Sequence, residues 1–425
     1  MTQGAPRRLK VLLSAYACAP NTGSEQGVGW DCVKALSEQH DLCVITRGDA
    51  RGEIEAHLAA HPMPKVRFVY YELPRFLRPG GFGDSKRPTQ LYYYLWQIGI
   101  YFLAKRLIST QDVDIVHHVT FVKFWAPSFL AALPKPFLWG PVGGGETAPA
   151  PFLTSFSGRG RLYERLRDIG RWAGEHDPFV RLTARRAAMT LASTDETADR
   201  VQRINAGGPV IVCPAIGVTE AELAMYGQRG DTAGSRVRFV SVGRFLHWKG
   251  FHLALEAFAR AKIPNAEYRL IGDGPERDRL KALARRLGME EAVSFTGNIP
   301  RNAVLQQLSD CDVLVHPSLH ESGGGVCLEA MAAKLPVIAF DLGGPALHHS
   351  HDAGLVVRAE NPDQAIQDLA RAMAELAAAP ERRRVLAQNG YCRLRAQYLW
   401  PAKALRYTSI YRTILDGSPC ASKRT

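Results

Sequence analysis

The stretch HPSLHESGGGVCLEAMAAKLPVIAFDLGGP, residues 316–345, decides how this chain folds. It contains the end of an apolar strand, a loop with three consecutive glycines, a helix that begins near Val326, and a second apolar strand. This order is typical of a parallel βαβ unit. The turn places backbone N–H groups of residues 323–326 and the positive end of a helix at the ligand side, which suits an anionic or polyhydroxyl ligand. Glu321 and Glu329 flank the turn and are its candidate binding acids.

The same alternation of apolar runs and helical patterns extends along the whole chain. In the second half it predicts strands at 236–242, 267–271, 292–296, 312–316 and 336–340. In the first half it predicts strands at 9–15, 42–46, 66–71, 114–119, 136–140 and 210–213. Because 425 residues exceed what one hydrophobic core usually serves, two domains are expected. The prediction is an α/β fold of two doubly wound, Rossmann-like domains, residues 1–213 and 214–397, that face each other across a cleft.

The composition is that of an ordinary globular protein, with 46% hydrophobic and 22% charged residues. The eight cysteines lie far apart without metal-ligand spacing, which fits a reducing compartment, and the N-terminus is better interpreted as a first strand than as an export signal. A cytoplasmic location is therefore expected. The net charge of +12 favours acidic partners, but the basic clusters at 159–171 and 181–186 are interpreted as solvated helix faces. No nucleic-acid module is recognisable, so a basic nucleic-acid-binding protein remains only as the non-enzyme alternative.

The segment around the three glycines resembles the retaining glycosyltransferases of family 4, whose signature has the form ESxGxxxLEAMAxxxPVIA. The resemblance implies the GT-B architecture, in which residues 1–213 serve the acceptor and residues 214–397 bind a nucleotide-diphosphate sugar. It implies that Glu321 contacts hydroxyl groups of the donor sugar and that Glu329 binds the ribose. The loop residues implied to contact the donor are Gly323, Gly324, Gly325 and Val326.

The segment SVGRFLHWKG, residues 241–250, resembles the G-R-x4-K-G element of the same family. The resemblance implies that Arg244 and Lys249 hold the diphosphate, with Gly243 beside them. Fixed cations there would stabilise the negative charge that develops on the departing nucleoside diphosphate. The segments YRLIGDGP and FTGNIP, residues 268–275 and 295–300, resemble the strand ends of the nucleotide pocket, whose shape would depend on Gly272, Gly274 and Gly297.

Two elements of the first half also resemble parts of the family's donor site. The loop YACAPNTGSEQGVGW, residues 16–30, resembles the glycine-rich loop against the donor phosphates, and it would supply backbone donors at Gly23, Gly27 and Gly29. The strand DIVHHVT, residues 114–120, offers His117 and His118 at the family's histidine position. Because the two histidines point to opposite faces of a strand, only one can reach the sugar, and His118 is favoured as the catalytic one. The C-terminal stretch 398–416 resembles the helix that crosses back to the first domain, followed by a frayed tail at 417–425.

The resemblance implies transfer to a glycan or lipid-linked acceptor with retention of configuration. The leaving phosphate oxygen would take the acceptor's proton, since no carboxylate base is evident. Neither a metal nor a further cofactor is expected, because no Asp-x-Asp element ends a strand and the two cations can supply the electrostatic stabilisation. A nonhydrolysing sugar-nucleotide epimerase of similar fold remains an alternative. A dinucleotide-dependent oxidoreductase fits poorly, because the first loop lacks the G-x-G-x-x-G spacing and the second strand lacks a terminal acid.

The stretch LYYYLWQIGIYFLAKRL, residues 91–107, allows two interpretations. It is too short and too aromatic for a transmembrane span, so it is either a buried helix of the first domain or an amphipathic helix that docks at a bilayer. The glycine- and charge-rich stretch 78–88 would then be a loop that presents it. With the net charge, this predicts weak, salt-sensitive peripheral affinity for anionic membranes.

Overall fold

The computed structural model describes residues 7–74, 89–226, 236–349 and 351–417. Two features predicted above lie wholly or largely outside these residues: the stretch 78–88 and the tail from residue 418 onwards.

Strands and helices alternate along the described residues. The strands are β1 (Lys10–Ala15), β2 (Asp41–Arg47), β3 (Val66–Tyr71), β4 (Ile115–Thr120), β5 (Phe137–Val142), β6 (Met189–Ala192), β7 (Val210–Val212), β8 (Val237–Val242), β9 (Ala266–Ile271), β10 (Val293–Gly297), β11 (Val313–His316), β12 (Val337–Phe340) and β13 (Gly354–Val357). The helices are α1 (Ser24–Ser37), α2 (Arg51–Ala60), α3 (Thr89–Thr110), α4 (Gly158–His176), α5 (Pro178–Arg186), α6 (Asp195–Gln202), α7 (Glu220–Met225), α8 (Phe251–Ala261), α9 (Arg277–Arg286), α10 (Arg301–Ser309), α11 (Gly325–Ala332), α12 (Gly343–His348), α13 (Pro362–Ala378), α14 (Pro380–Gln397) and α15 (Trp400–Leu415).

The described strands form two parallel sheets. Their orders are β3-β2-β1-β4-β5-β6-β7 and β10-β9-β8-β11-β12-β13. In each sheet the chain winds outward from a central strand, returns, and winds outward in the other direction, so the sheets switch direction between β1 and β4 and between β8 and β11. Every residue of β4, β5, β11 and β12 is buried, as expected for strands covered by helices on both faces. The prediction of a doubly wound α/β fold is confirmed, and ligands of such sheets bind beyond the carboxyl ends of the strands.

The described residues divide into two compact units, of which the first lies within the ranges 1–145, 169–215 and 400–425 and the second within the ranges 146–168 and 216–399. The junction at Ala215 lies close to the boundary expected after residue 213. Residues 146–168 are expected in the first domain from their place in the sequence, but they pack in the second unit. Its side chains Phe152 and Phe156 are buried in the same cluster as Phe245 and Phe340. Burial of these aromatic rings explains why the segment leaves the unit that precedes it in the chain.

Helix α15 packs in the first unit. Trp400, Tyr407 and Tyr411 are buried in one cluster with residues of α1 and β1. The helix begins at Trp400, whereas Tyr398 and Leu399 are buried in a cluster of the second unit. The C-terminal helix therefore returns to the first unit.

Helix α3 contains the aromatic stretch 91–107 and is largely buried. Tyr93, Trp96 and Ile100 are at most 1% exposed and belong to a core cluster of the first unit. Leu91 and Phe102 are exposed. The structure thus corresponds to the first of the two interpretations, a helix of the domain core. Among the described residues, no helix is long and apolar enough to span a bilayer.

Candidate active site

The loop between β11 and α11 is shaped by close backbone packing against the turn that follows β12. Gly324, with φ +66°, precedes the first residue of α11, and a Cβ atom there would lie 2.8 Å from Pro345 Cγ. Gly343 has φ +58°, and a Cβ atom there would lie 2.3 Å from the carbonyl oxygen of Glu321. Gly344 donates its N–H to the same oxygen at 2.8 Å. The turn after β12 thus fixes the backbone position of Glu321.

The Glu321 carboxylate is the centre of an ion-pair cluster. Its Oε2 lies 2.6 Å from Lys249 Nζ and 2.9 Å from His316 Nε2, while its Oε1 accepts the Gly324 N–H at 3.2 Å. Burial alone would raise the pKa of this carboxyl, but Lys249 and His316 outweigh it and hold the pKa well below the ordinary value. Glu321 is therefore ionised at neutral pH. Its side chain is still 21% exposed, so a ligand hydroxyl can reach it.

The loop after β8 places the predicted phosphate-binding cations at the carboxyl end of that strand. A Cβ atom on Gly272 would lie 2.0 Å from the Gly243 carbonyl oxygen, and one on Gly274 would lie 2.6 Å from the Phe245 carbonyl oxygen. These close approaches join the loops after β8 and β9. Arg244 lies in this turn with an exposed side chain, and no ion pair within the described part of the chain involves it. Gly297 lies at the end of β10, where its carbonyl accepts the Gly272 N–H at 2.9 Å.

Open space lies in front of helix α11. Cβ atoms on Gly323 and Gly325 would have only Ile216 as a neighbour within 4 Å, at 3.7 and 3.9 Å respectively, so no steric contact within the described protein requires glycine at these two positions. Val326, in the first turn of the helix, is half-buried. Because Gly324 donates its N–H to Glu321, the other N–H groups at the start of the helix are the ones that remain for a bound group.

Glu329 lies further along α11 and shares an arginine with a second acid. Its Oε1 is 3.0 Å from Arg301 Nη2, which also lies 2.8 Å from Glu222 Oε1. Burial raises the pKa of Glu329, Arg301 acts in the opposite direction, and Glu222 adds to the increase. The side chain is 21% exposed.

A carboxylate that the sequence did not single out connects the two halves of this site. Glu164 Oε1 lies 3.0 Å from His247 Nε2 and 3.0 Å from His320 Nε2. His247 stands two residues before Lys249, and His320 directly precedes Glu321. Burial would raise the pKa of Glu164, but hydrogen bonds from the two histidines hold it well below its usual range.

His117, the less favoured of the two candidate histidines for a contact with the donor, occupies a structural position in the first unit. Its Nδ1 lies 2.6 Å from the Tyr411 hydroxyl and its Nε2 lies 2.7 Å from the Gly140 carbonyl oxygen. The ring is fully buried, and burial lowers its pKa to about 4. Both ring nitrogens are thus bonded within the unit, which leaves neither available to a sugar.

His118 lies on the opposite face of β4, as strand alternation predicts. Its Nε2 is 3.2 Å from the Tyr93 hydroxyl, in the core cluster that contains Tyr16 and Trp96. Burial, together with the charge of neighbouring His117, lowers its pKa to about 3, so the ring is neutral at physiological pH. Its predicted catalytic contact remains a prediction.

The three glycines of the first-half loop have different positions. Gly23 immediately precedes α1, whose first turn carries Glu25. Gly27 and Gly29 lie inside the helix, where Cβ atoms would lie 2.3 Å from the Thr22 carbonyl oxygen and 2.1 Å from the Ala17 carbonyl oxygen. Beyond the first turn, helical N–H groups are bonded within the helix. Close packing therefore explains glycine at positions 27 and 29, in contrast to the predicted backbone donation.

Sequence reasoning missed His316, Glu164, Arg301 and Glu222. His316 opens the deciding segment, and its place at the end of a strand, five residues before Glu321, was the available signal. For Glu164 the sequence offered no signal, because its hydrogen-bond partners lie 83 and 156 residues away along the chain. No grouping of three His, Cys, Asp or Glu side chains that could hold a metal occurs among the described residues.

Chemically, the second unit combines two cations, an ionised acid and a glycine turn at the start of a helix, all at the switch point of its sheet. Such a set can neutralise a diphosphate and accept hydrogen bonds from sugar hydroxyls. The carboxylate oxygens of Glu321 are already engaged by protein groups, which suits binding better than proton abstraction.

Comparison with known proteins finds a family match in the second half of the chain. Residues 228–393 match the family of Glycosyl transferases group 1. The chain is 34% identical over 175 residues to 2-deoxystreptamine N-acetyl-D-glucosaminyltransferase of Streptomyces fradiae, covering 39% of this chain and 42% of that protein. It is 34% identical over 190 residues to the lipopolysaccharide core biosynthesis glycosyltransferase LpsE of Rhizobium meliloti, covering 44% of this chain and 52% of that protein. The match thus spans about half the length of these curated relatives.

Solved structures resemble nearly the whole chain. A glycosyltransferase from Rickettsia africae ESF-5 superimposes with a TM-score of 0.64 at 14% identity, covering 97% of this chain and 100% of the other. HepE of Anabaena in complex with UDP and glucose superimposes with a TM-score of 0.59 at 18% identity, covering 96% and 100%. At these identities the likeness concerns the fold.

Proposed function

We propose that the chain transfers a sugar from a nucleotide-diphosphate sugar to a glycan or lipid-linked acceptor, because residues 228–393 match the family of Glycosyl transferases group 1. The observation that carries the proposal is the cluster of Glu321, Lys249 and His316 at the glycine turn. It lies at the strand ends of the doubly wound sheet in the matched segment, where ligands of such sheets bind.

Two features support a nucleotide-diphosphate donor. Arg244 and Lys249 follow β8 and would offer cations to the two phosphates, and the turn would add the N–H groups of Gly323, Gly325 and Val326. The structure of HepE contains UDP and glucose, which are the two parts of such a donor, and that protein has a similar fold. Glu329, on the same helix as the turn, would bind the ribose.

We further propose that transfer proceeds with retention and without a metal. Glu321 is ionised, and its oxygens are held by Lys249, His316 and a backbone N–H, which leaves it to orient the sugar rather than to remove a proton. The leaving phosphate oxygen would accept the acceptor's proton on the face from which it departs. Arg244 and Lys249 would stabilise the charge on that oxygen as the glycosidic bond breaks.

A panel of UDP-, GDP- and ADP-sugars tests the donor first. A donor at about 100 times its dissociation constant should stabilise the protein by about 2.7 kcal/mol, which a thermal-shift measurement detects. Release of the nucleoside diphosphate in the presence of acceptor, with the anomeric configuration of the product determined by NMR, then tests the reaction. An inverted product would reject retention, and loss of activity with EDTA would reject metal independence.

The same panel separates transfer from the epimerase alternative. An epimerase would interconvert free nucleotide sugars without any acceptor, whereas the proposed transferase requires an acceptor for turnover beyond slow hydrolysis. Conversion of the donor into an epimer in the absence of acceptor would therefore overturn the proposal.

A further inference from the structure

A helix that packs on a globular core usually buries its apolar face and exposes its polar face. Helix α4 has the opposite arrangement. Its exposed face carries an apolar stripe, which we call the outer stripe, formed by Leu162, Leu166, Ile169 and Trp172. These four side chains are between 57% and 62% exposed. The spacing of four, three and three residues places them along one side of the helix. Tyr163, next to the stripe, is also exposed.

The buried face of the same helix is polar or lacks side chains. It contains Gly160, Glu164, Arg167, Arg171 and Gly174. Glu164 bonds to His247 and His320, and Arg167 donates to the Glu146 carbonyl oxygen at 2.9 Å. Hydrogen bonds and ion pairs therefore hold this face of the helix, so the outer stripe is not needed to bury a core. Four large apolar side chains in one exposed row indicate an interaction surface.

Arginines border the outer stripe. Arg159, Arg161 and Arg165 are exposed, and no ion pair in the described part of the chain involves any of them. One exposed acid, Asp168, lies on the same helix, so positive charge predominates around the stripe. An apolar row bordered by arginines, with a tryptophan at one end, is the pattern of a helix that lies in the interface of an anionic bilayer.

We propose that α4 is a membrane-docking helix, whose outer stripe enters the headgroup region of an anionic lipid surface while Arg159, Arg161 and Arg165 contact the lipid phosphates. A symmetric dimer fits less well, because it would bring like-charged arginines of two copies together. A nucleic acid would satisfy the arginines but would leave the leucines and isoleucine in water. The docking site predicted from the sequence, residues 91–107, is largely core, and α4 takes its place.

Vesicle flotation tests the proposal on the full chain without any donor, so its outcome is independent of the proposed glycosyl transfer. The vesicles contain phosphatidylcholine with or without phosphatidylglycerol. Leu166→Ser is compared with Leu405→Ser on α15, because the two leucines are 59% and 58% exposed. Circular dichroism and thermal melting of both variants verify folding.

We expect the wild type and Leu405→Ser to float with the anionic vesicles and Leu166→Ser to bind about tenfold more weakly. Replacing Arg161 and Arg165 by Gln should abolish the preference for anionic over neutral vesicles, and raised ionic strength should have the same effect. Absence of flotation by the wild type at low salt would overturn the proposal, as would equal binding of the two leucine variants. A dimer in light scattering that only Leu166→Ser disperses would assign the stripe to a second copy instead.

Discussion

Arg244 and Arg285 are both exposed arginines of the second unit, and neither has an ion pair within the described residues. They differ in position, because Arg244 follows β8 beside the Lys249 turn, whereas Arg285 lies on α9. Arg244→Ala should lower kcat by about a hundredfold or more, since it removes a cation from the developing diphosphate charge. Arg285→Ala should leave steady-state kinetics unchanged. Equal effects of the two substitutions would remove Arg244 from the phosphate site.

Glu329 offers a test of nucleotide binding rather than catalysis. Glu329→Ala should weaken binding of the donor by roughly 1–3 kcal/mol, because a ribose hydroxyl would lose a charged partner. Calorimetric titration with the nucleoside diphosphate measures this effect. Glu222→Ala is the matched control, since it removes the other acid that pairs with Arg301 and leaves Glu329 in place. An unchanged affinity in Glu329→Ala would refute the ribose contact.

Glu164 is expected to act as a positioning residue, because it contacts His247 and His320 rather than the predicted ligand side chains. Glu164→Ala should lower kcat by about tenfold, since both histidines adjoin segments that carry Lys249 and Glu321 and a misplaced group loses catalytic efficiency. Glu164→Gln keeps an acceptor oxygen and should restore most of the rate. A loss of stability in both variants without recovery of kcat in the Gln variant would indicate a purely structural role.

The residues of the site divide into those that sequence reveals and those that it does not. Glu321, Lys249 and Arg244 could be identified because they lie within short segments of recognisable spacing. The choice between His117 and His118 needed coordinates, because alternation places them on opposite faces but does not say which face Tyr411, almost three hundred residues later, will cover. Glu164 was invisible for the same reason, since its hydrogen bonds join distant parts of the chain.

Helix α1 shows how an element explains residues that a motif would assign to a ligand. Gly29 lies so close to the Ala17 carbonyl oxygen that a Cβ atom would approach it to 2.1 Å. Gly29→Ala should destabilise the first unit by about 1–3 kcal/mol, the usual cost of overpacking. Gly52→Ala on α2 is the matched control, because no atom lies within 4 Å of its Cβ position, and alanine there should stabilise the helix by up to about 1 kcal/mol.

Urea denaturation of the two glycine variants measures both effects. Opposite signs are expected for the change in unfolding free energy. If Gly29→Ala left the unfolding free energy unchanged, the loop before α1 would be able to shift and accommodate the Cβ atom. The close approach would then no longer explain the glycine.

At the level of elements, the periodicity of apolar residues predicted the long strands and helices. It did not predict that a segment of the first half packs in the second unit. The pattern of apolar runs suffices for β1, β4 and β8, because each contains at least three consecutive buried residues. It does not reveal that residues 146–168 pack in the second unit, since the decisive contacts of Phe152 and Phe156 are tertiary. The reversed faces of α4 are likewise visible in the sequence as an apolar stripe, but only the structure shows that this stripe is outside.

At the scale of the whole molecule, buried histidines that resist protonation make the unfolding free energy depend on pH. In the first unit, burial lowers the pKa of His40 and His117 to about 4 and that of His118 to about 3. In the unfolded chain each histidine titrates near about 6.5. The unfolded state therefore binds more protons than the folded state below that value. This difference in bound protons leaves the unfolding free energy at its full value above about pH 6.5. The unfolding free energy then declines as the pH falls from about 6.5 towards about 4.

We expect the unfolding free energy, summed over all transitions, to decrease by about 1 kcal/mol per buried histidine between pH 7.5 and 5.5. His117→Gln should reduce the slope of this dependence by about one proton at pH 5.5. Tyr411→Phe is the matched control, because it removes the same hydrogen bond and retains the buried imidazole, so the stability should fall while the slope is kept. Urea denaturation across this pH range measures both quantities. A wild-type unfolding free energy that is constant from pH 7.5 to 5.5 would show that these histidines are protonated in the folded protein, and burial would then not control their charge.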